Sequence, residues 1–149
     1  MHWAIHGHTA AEIISNRVSA VKPNLGLTTW RNAPNGKVRK DDVDNAKNYL
    51  TEDELKDLNL IVDQYLSFAE LQARNRKPMY MIDWVKKLND FLILNDREIL
   101  DNAGNISAEM AKEIAESEFD KYRLKQIQSD DANDIRLLDE GIEKLNKKE

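Results

Sequence analysis

Apolar residues recur at helical spacing through most of this chain. In TEDELKDLNLIVDQYLSFAELQAR, Leu55, Leu58, Val62, Tyr65, Leu66 and Ala69 fall three or four positions apart, and Ile61 and Phe68 widen the stripe. The pattern predicts one long helix that starts at Thr51 and runs to about Arg74, stopped by Pro78. Its start is a capping box, Thr51-Glu-Asp-Glu54, in which the hydroxyl accepts an orphan amide and the carboxylate reaches back to the cap. Thr9-Ala-Ala-Glu12 repeats the device ahead of Ile13, Ile14 and Val18, which predicts a first helix closing before Pro23. PMYMIDWVKKLNDFL opens another, with Trp84, Leu88, Phe91 and Leu92 on one side and Lys86, Lys87 and Asp90 opposite. Gly104 sits where a helix C-terminal cap would, and Ser107 starts the next helix. The buried face of that helix is Met110, Ile114 and Tyr122, flanked by Ala111, Ala115 and Phe119. QSDDAND interrupts the pattern, and IRLLDEGIEKLNKKE reads as a last weak helix containing Gly141.

One stretch departs from helical periodicity. LGLTTWRNAPNGKVRKDD holds a Thr-Trp run, a PNG turn signal and a return through KVRK, which predicts a small β-hairpin or ordered loop. Asp41 or Asp42 then caps a short helix through Tyr49 and Leu50. The fold class is all-α, a bundle of five to six helices with at most one small β-hairpin between the first and second. Residues 1–128 form the helical domain, and 129–149 a helical tail, docked or frayed. Trp3, Ile13, Leu58, Tyr65, Trp84, Phe91, Ile114 and Phe119 are the expected core, each contributing roughly 1.5–3 kcal/mol if fully buried.

Composition sharpens this picture. A chain of 149 residues, 41% hydrophobic and 33% charged, suits one domain of surface-exposed amphipathic helices. A net charge of −5 argues against a DNA-coating surface, which needs clustered cations. The absence of cysteine excludes disulfides, thiol catalysis and Cys-containing zinc sites. No window approaches the roughly 20 apolar residues of a membrane span, and no secretory signal pattern opens the chain, so a cytoplasmic protein without membrane contact is expected.

Candidate chemistry is thin. All three histidines, His2, His6 and His8, lie in HWAIHGHTAAE, and no regular structure converges three rings so spaced on one ion. Glu12, the nearest carboxylate, already has a capping task, so no metal site is assigned. General acid–base chemistry at His6 or His8 with Arg17 is the enzyme alternative, in a site that would include Trp30 and the TTWRN segment. WRNAPNGKVRK gathers Arg31, Lys37, Arg39 and Lys40 around Trp30, cations interleaved with an aromatic as nucleic-acid and partner surfaces often have them. A second basic stretch, Arg74, Arg76 and Lys77, falls at the predicted end of the long helix, where positive charge complements the helix dipole. No glycine-rich phosphate loop, dinucleotide fingerprint or nucleophile elbow is present, and no cofactor is implied.

The order of these motifs resembles the C-terminal half of the RhuM family of bacterial, mobile-element-associated virulence proteins. The resemblance runs through HWAIHGHTAAEIISNR, KPNLGLTTWRNAPNGKVRKDDVDNAKNYLTEDEL, PMYMIDWVKKLNDFLILNDREIL and GNISAEMAKEIAESEFDKY, most of residues 2–122. It implies an upstream helix-turn-helix-like segment that carries DNA binding in longer members, and it transfers no catalytic residue. The expected role is therefore a non-catalytic regulatory or assembly module, with a homodimer through the charged helices as its partner. Direct nucleic-acid binding through the loop 31–40 is the further alternative.

Overall fold

Both capping boxes start helices. The computed structural model describes residues 1–148. In it the Thr9 amide donates to Glu12 Oε2 at 2.9 Å, and the Glu12 amide donates back to Thr9 Oγ1 at 3.2 Å. The same reciprocal pair joins Thr51 and Glu54, at 2.8 and 3.3 Å. Ser107 accepts the Met110 amide at 3.1 Å. Five α-helices occur among the described residues: α1 His2–His6, α2 Ala10–Arg17, α3 Glu52–Arg74, α4 Met81–Leu94 and α5 Ala108–Asn146. Gly7 takes a left-handed φ of 72° that stops α1, and this is what separates the histidine segment from α2.

The predicted β-hairpin does not form, and no strand occurs among the described residues. Its amides have other partners. The buried Asp42 carboxylate accepts the Arg31 amide at 3.1 Å and the Arg39 amide at 2.8 Å, so the two ends of the loop are clasped by one side chain rather than laddered. The Thr28 amide donates to the Asn48 carbonyl at 2.8 Å, and the Trp30 indole N–H donates to the Gly36 carbonyl at 2.8 Å. The short helix expected after Asp42 is instead two 3-10 turns, Lys40–Asp42 and Ala46–Tyr49.

Two cores result. The larger joins Ile13 and Ile14 of α2 and Val18 just after it to Ala111 and Ala115 of α5, and is filled by Leu25, Leu27, Trp30, Val43, Ala46 and Tyr49 from the irregular segment. Tyr49 is only 1% exposed, and its hydroxyl donates to the Val43 carbonyl at 2.7 Å. The smaller core is Ala4, Ile61 and Leu92, where α1 sits on α3 and α4. Of the residues expected inside, Ile13 and Leu58 are buried. Trp3, Tyr65, Trp84, Phe91, Ile114 and Phe119 are only half-buried. Tyr65, Trp84 and Phe91 lie between α3 and α4 beside an α4 face left in solvent, and Ile114 and Phe119 pack against the larger core from its edge. Tyr65, Phe68, Trp84 and Phe91 meet along the α3–α4 pair with ring centroids 5.2–6.3 Å apart, edge to face except for the tilted Phe68–Phe91 contact.

Two further expectations are corrected. QSDDAND does not break the backbone, and α5 runs unbroken for 39 residues, because nothing in the stretch removes an amide or forces a turn. Gly104 caps no helix. It lies in the loop before α5 with φ 76°, where a Cβ would approach Thr9 Cγ2 to 2.6 Å.

Candidate functional site

α1 and the turn after it bring the three imidazoles side by side. His2 Nδ1 and His6 Nε2 are 3.3 Å apart, and the His6 and His8 rings stack with centroids 6.1 Å apart. Burial pushes the His6 pKa down to about 4, and the neighbouring His2 adds to the effect. His6 Nδ1 is shut from water with no hydrogen-bond partner among the described residues. Next to this stack, Glu12 has both carboxylate oxygens occupied. Oε2 takes the Thr9 amide and Oε1 the Asn105 amide at 2.8 Å, and these backbone donors hold its pKa below the usual range. His8 reaches Glu12 only loosely, at 3.8 Å, from an exposed position. Among the described residues no three His, Asp or Glu side chains converge as metal ligands.

Arg17 is committed as firmly as Glu12. Its guanidinium donates through Nη1 and Nη2 to the two oxygens of Glu54 at 2.7 Å each, and Nη1 also donates to the Tyr49 carbonyl at 2.8 Å. This fork ties the end of α2 to the start of α3 and to the 3-10 turn between them. The Arg17 hydrogen bonds bring the Glu54 pKa down to about 2. Trp30 faces the larger core at 9% exposure, so its ring offers no stacking platform.

The basic residues divide. Lys37, Arg39 and Lys40 line an open groove of about 770 Å³ against α5, together with Asn32, Phe119, Tyr122, Arg123, Gln126 and two aspartates, Asp120 and Asp130. Lys40 lies 3.6 Å from Glu116. Arg31 is exposed but does not line this groove, and neither do Arg74, Arg76 and Lys77 at the end of α3. The sequence signal located the basic loop but not its α5 wall.

What periodicity missed altogether is the unburied apolar surface. Tyr80, Met81, Ile82, Val85, Ile93 and Leu94 of α4 and its cap stand in solvent, Met81 at 79% and Leu94 at 77%. Every described residue of α5 from Arg123 onward is exposed, Leu124, Ile127, Ile135, Leu138, Ile142 and Leu145 among them. No helix among the described residues is long and apolar enough to cross a membrane.

No curated protein and no solved structure gives a significant match to the chain. A family model does match, that of the virulence protein RhuM family, over residues 1–130. That span takes in both capping boxes, the Arg17–Glu54 fork and every residue named in the groove, and the chain belongs to the RhuM virulence protein family.

Proposed function

We propose that this chain is a non-catalytic assembly module, the part of a DNA-binding RhuM-like protein that brings copies together while an upstream segment contacts DNA. The observation carrying the proposal is the apolar helix surface with no intramolecular cover, on α4 and on the outer half of α5. A monomer gains nothing from leaving such residues in water, whereas association buries them. The hydrogen-bonding of the residues around the histidines supports the same reading. Arg17, Glu12 and Glu54 satisfy backbone and one another, which makes them structural ties rather than groups poised over a substrate. Residues 1–128 act as the folded body and the tail after them as an arm. Light scattering of the chain over a concentration series tests the proposal: masses rising toward a multiple of 17.2 kDa support it. A strict monomer at high concentration, alone and fused to the upstream segment, overturns it.

The groove favours a second reading, direct contact with nucleic acid through Lys37, Arg39, Lys40 and Arg123. Phosphate contacts release counterions, so this binding would weaken steeply with salt, and Lys37→Glu with Arg39→Glu would abolish it. Undetectable binding to duplex and single strands at low salt removes the reading.

A further inference from the structure

The outer half of α5 carries more information than exposure alone. Ile135, Leu138, Ile142 and Leu145 are spaced three, four and three apart, and all are between 55% and 68% exposed. That is two heptads of apolar residues on one edge of the helix, the repeat of a coiled-coil seam, and the repeat by itself leaves the orientation open. We infer that residues 131–146, the end of α5, pair antiparallel with the same segment of a second copy, Ile135 opposite Leu145 and Leu138 opposite Ile142. The inference rests on the assembly reading and names its surface and orientation.

Charge selects the orientation. The segment is acidic at its start, where Asp130, Asp131 and Asp134 outnumber Arg136, and basic at its end, where Lys144, Lys147 and Lys148 outnumber Glu143 and Glu149. Antiparallel pairing sets the acidic end of each copy along the basic end of the other and brings Asp134 beside the second copy's Lys148, twice by symmetry. It opposes the two helix dipoles as well. Among the described residues one approach of like charge, Asp139 to Asp139 near the two-fold axis, is the cost. Parallel pairing would instead stack Asp131 on Asp131 within the seam, set Asp134 near Asp139 on both sides, and gather all the terminal lysines.

Charge also selects the register. Sliding the helices to oppose Leu124 with Leu145 and Ile127 with Ile142 would bury Asp131 against Leu138. It would also level Lys125 with Lys144 and Lys121 with Lys148. In the inferred register the two-fold axis passes beside Gly141, an exposed helix glycine whose missing Cβ would meet nothing within 4 Å in its own chain. Glycine there weakens a lone helix, and next to the axis it lets two backbones approach. Two heptads make a short seam, so the pairing is concentration-dependent.

The chain has no cysteine, which makes single-cysteine variants clean reporters. A disulfide needs Cα atoms within about 7 Å. In the antiparallel register residue 145 lies about 15 Å along the axis from its own counterpart, ten residues at 1.5 Å each. Mild oxidation of mixed Ile135→Cys and Leu145→Cys chains should therefore link them to each other, and neither variant alone to itself. Leu138→Asp should weaken association at least about tenfold with helix content unchanged by circular dichroism. Self-linking of either variant alone overturns the orientation. A mixture that does not link, while light scattering still reports dimers that Leu138→Asp leaves intact, overturns the inference and leaves the assembly reading standing. A chain monomeric throughout overturns both.

Discussion

Arg17→Met tests most sharply whether the polar cluster near the histidines is architecture. The substitution keeps an unbranched apolar stem and removes the guanidinium. Three hydrogen bonds go with it: two to Glu54 at 2.7 Å and one to the Tyr49 carbonyl at 2.8 Å. Glu54 keeps only the Thr51 amide as a donor, and its side chain is just 19% exposed, so little water can replace the fork. The Tyr49 carbonyl loses its partner too. A hydrogen bond to a charged group contributes about 1.5–3 kcal/mol, and a partly buried group left without a partner costs a similar amount. Partial access to water reduces the sum, giving an expected loss of about 3 kcal/mol. In a chain of this size each kcal/mol moves the melting midpoint by about 2–4 °C, so a drop of about 6–12 °C is expected. Urea denaturation of the wild type, Arg17→Met, Glu54→Gln and the double variant should give a coupling of about 1–3 kcal/mol with an unchanged denaturant slope. The fork also leaves a pH signature. The folded-state pKa of Glu54 lies near 2, below its unfolded value, so the stabilisation is present above about pH 4.5 and lost as pH falls toward 2. A loss under about 1 kcal/mol, or no coupling, would mean that Arg17 is free for another task and would refute the reasoning.

His6 titrates in a separate window. Its folded pKa is lowered to about 4 by burial first, so stability falls as pH drops from about 6.5 toward 4, and His6→Gln should flatten the melting curve against pH there. An equally steep decline in that variant would place the effect elsewhere. Tyr49→Phe leaves the Val43 carbonyl without its donor in a sealed interior and should cost about 1–3 kcal/mol by urea midpoint, with loss below half of that as the contrary result. Trp84→Ala removes a half-buried ring that touches Tyr65 and Phe68. It should cost about 2–3 kcal/mol, several times a surface change, and under about 1 kcal/mol would contradict the packing of α3 on α4.

The helices were legible because their starts are chemical. Thr9, Thr51 and Ser107 cap locally, within three residues, and Arg74 ends α3 where the pattern stops. The segment between α2 and α3 was not legible in the same way. It holds most of the largest fully buried side chains, Leu25, Val43, Tyr49 and Leu50, yet an irregular path has no period to read. The clasp that replaced a hairpin is one carboxylate, Asp42, acting on amides at positions 31 and 39. The ties that fix the site are longer still: Arg17 to Glu54, Glu12 to the Asn105 amide, and Glu118 to the Ala20 amide at 2.7 Å. Glu12 and Glu54 were legible only as caps and Glu118 only as a helix-surface charge, because the partners at positions 105, 17 and 20 lie far off in the chain. Apolar stripes on α4 and α5 were visible as stripes, but periodicity assigns a face and not what covers it. Trp84 and Phe91 were expected inside for that reason, and the helix pair that holds them has one open side.

Amide hydrogen exchange across a concentration series tests most directly whether those open faces are covered by other copies. A helix with no packing partner opens readily, because most helical stability comes from tertiary burial. The account predicts that protection of residues 81–94 and 123–146 rises with protein concentration, while the amides around Tyr49 and Ile13 stay protected throughout. Rapid exchange of both helical segments that does not change with concentration would contradict it.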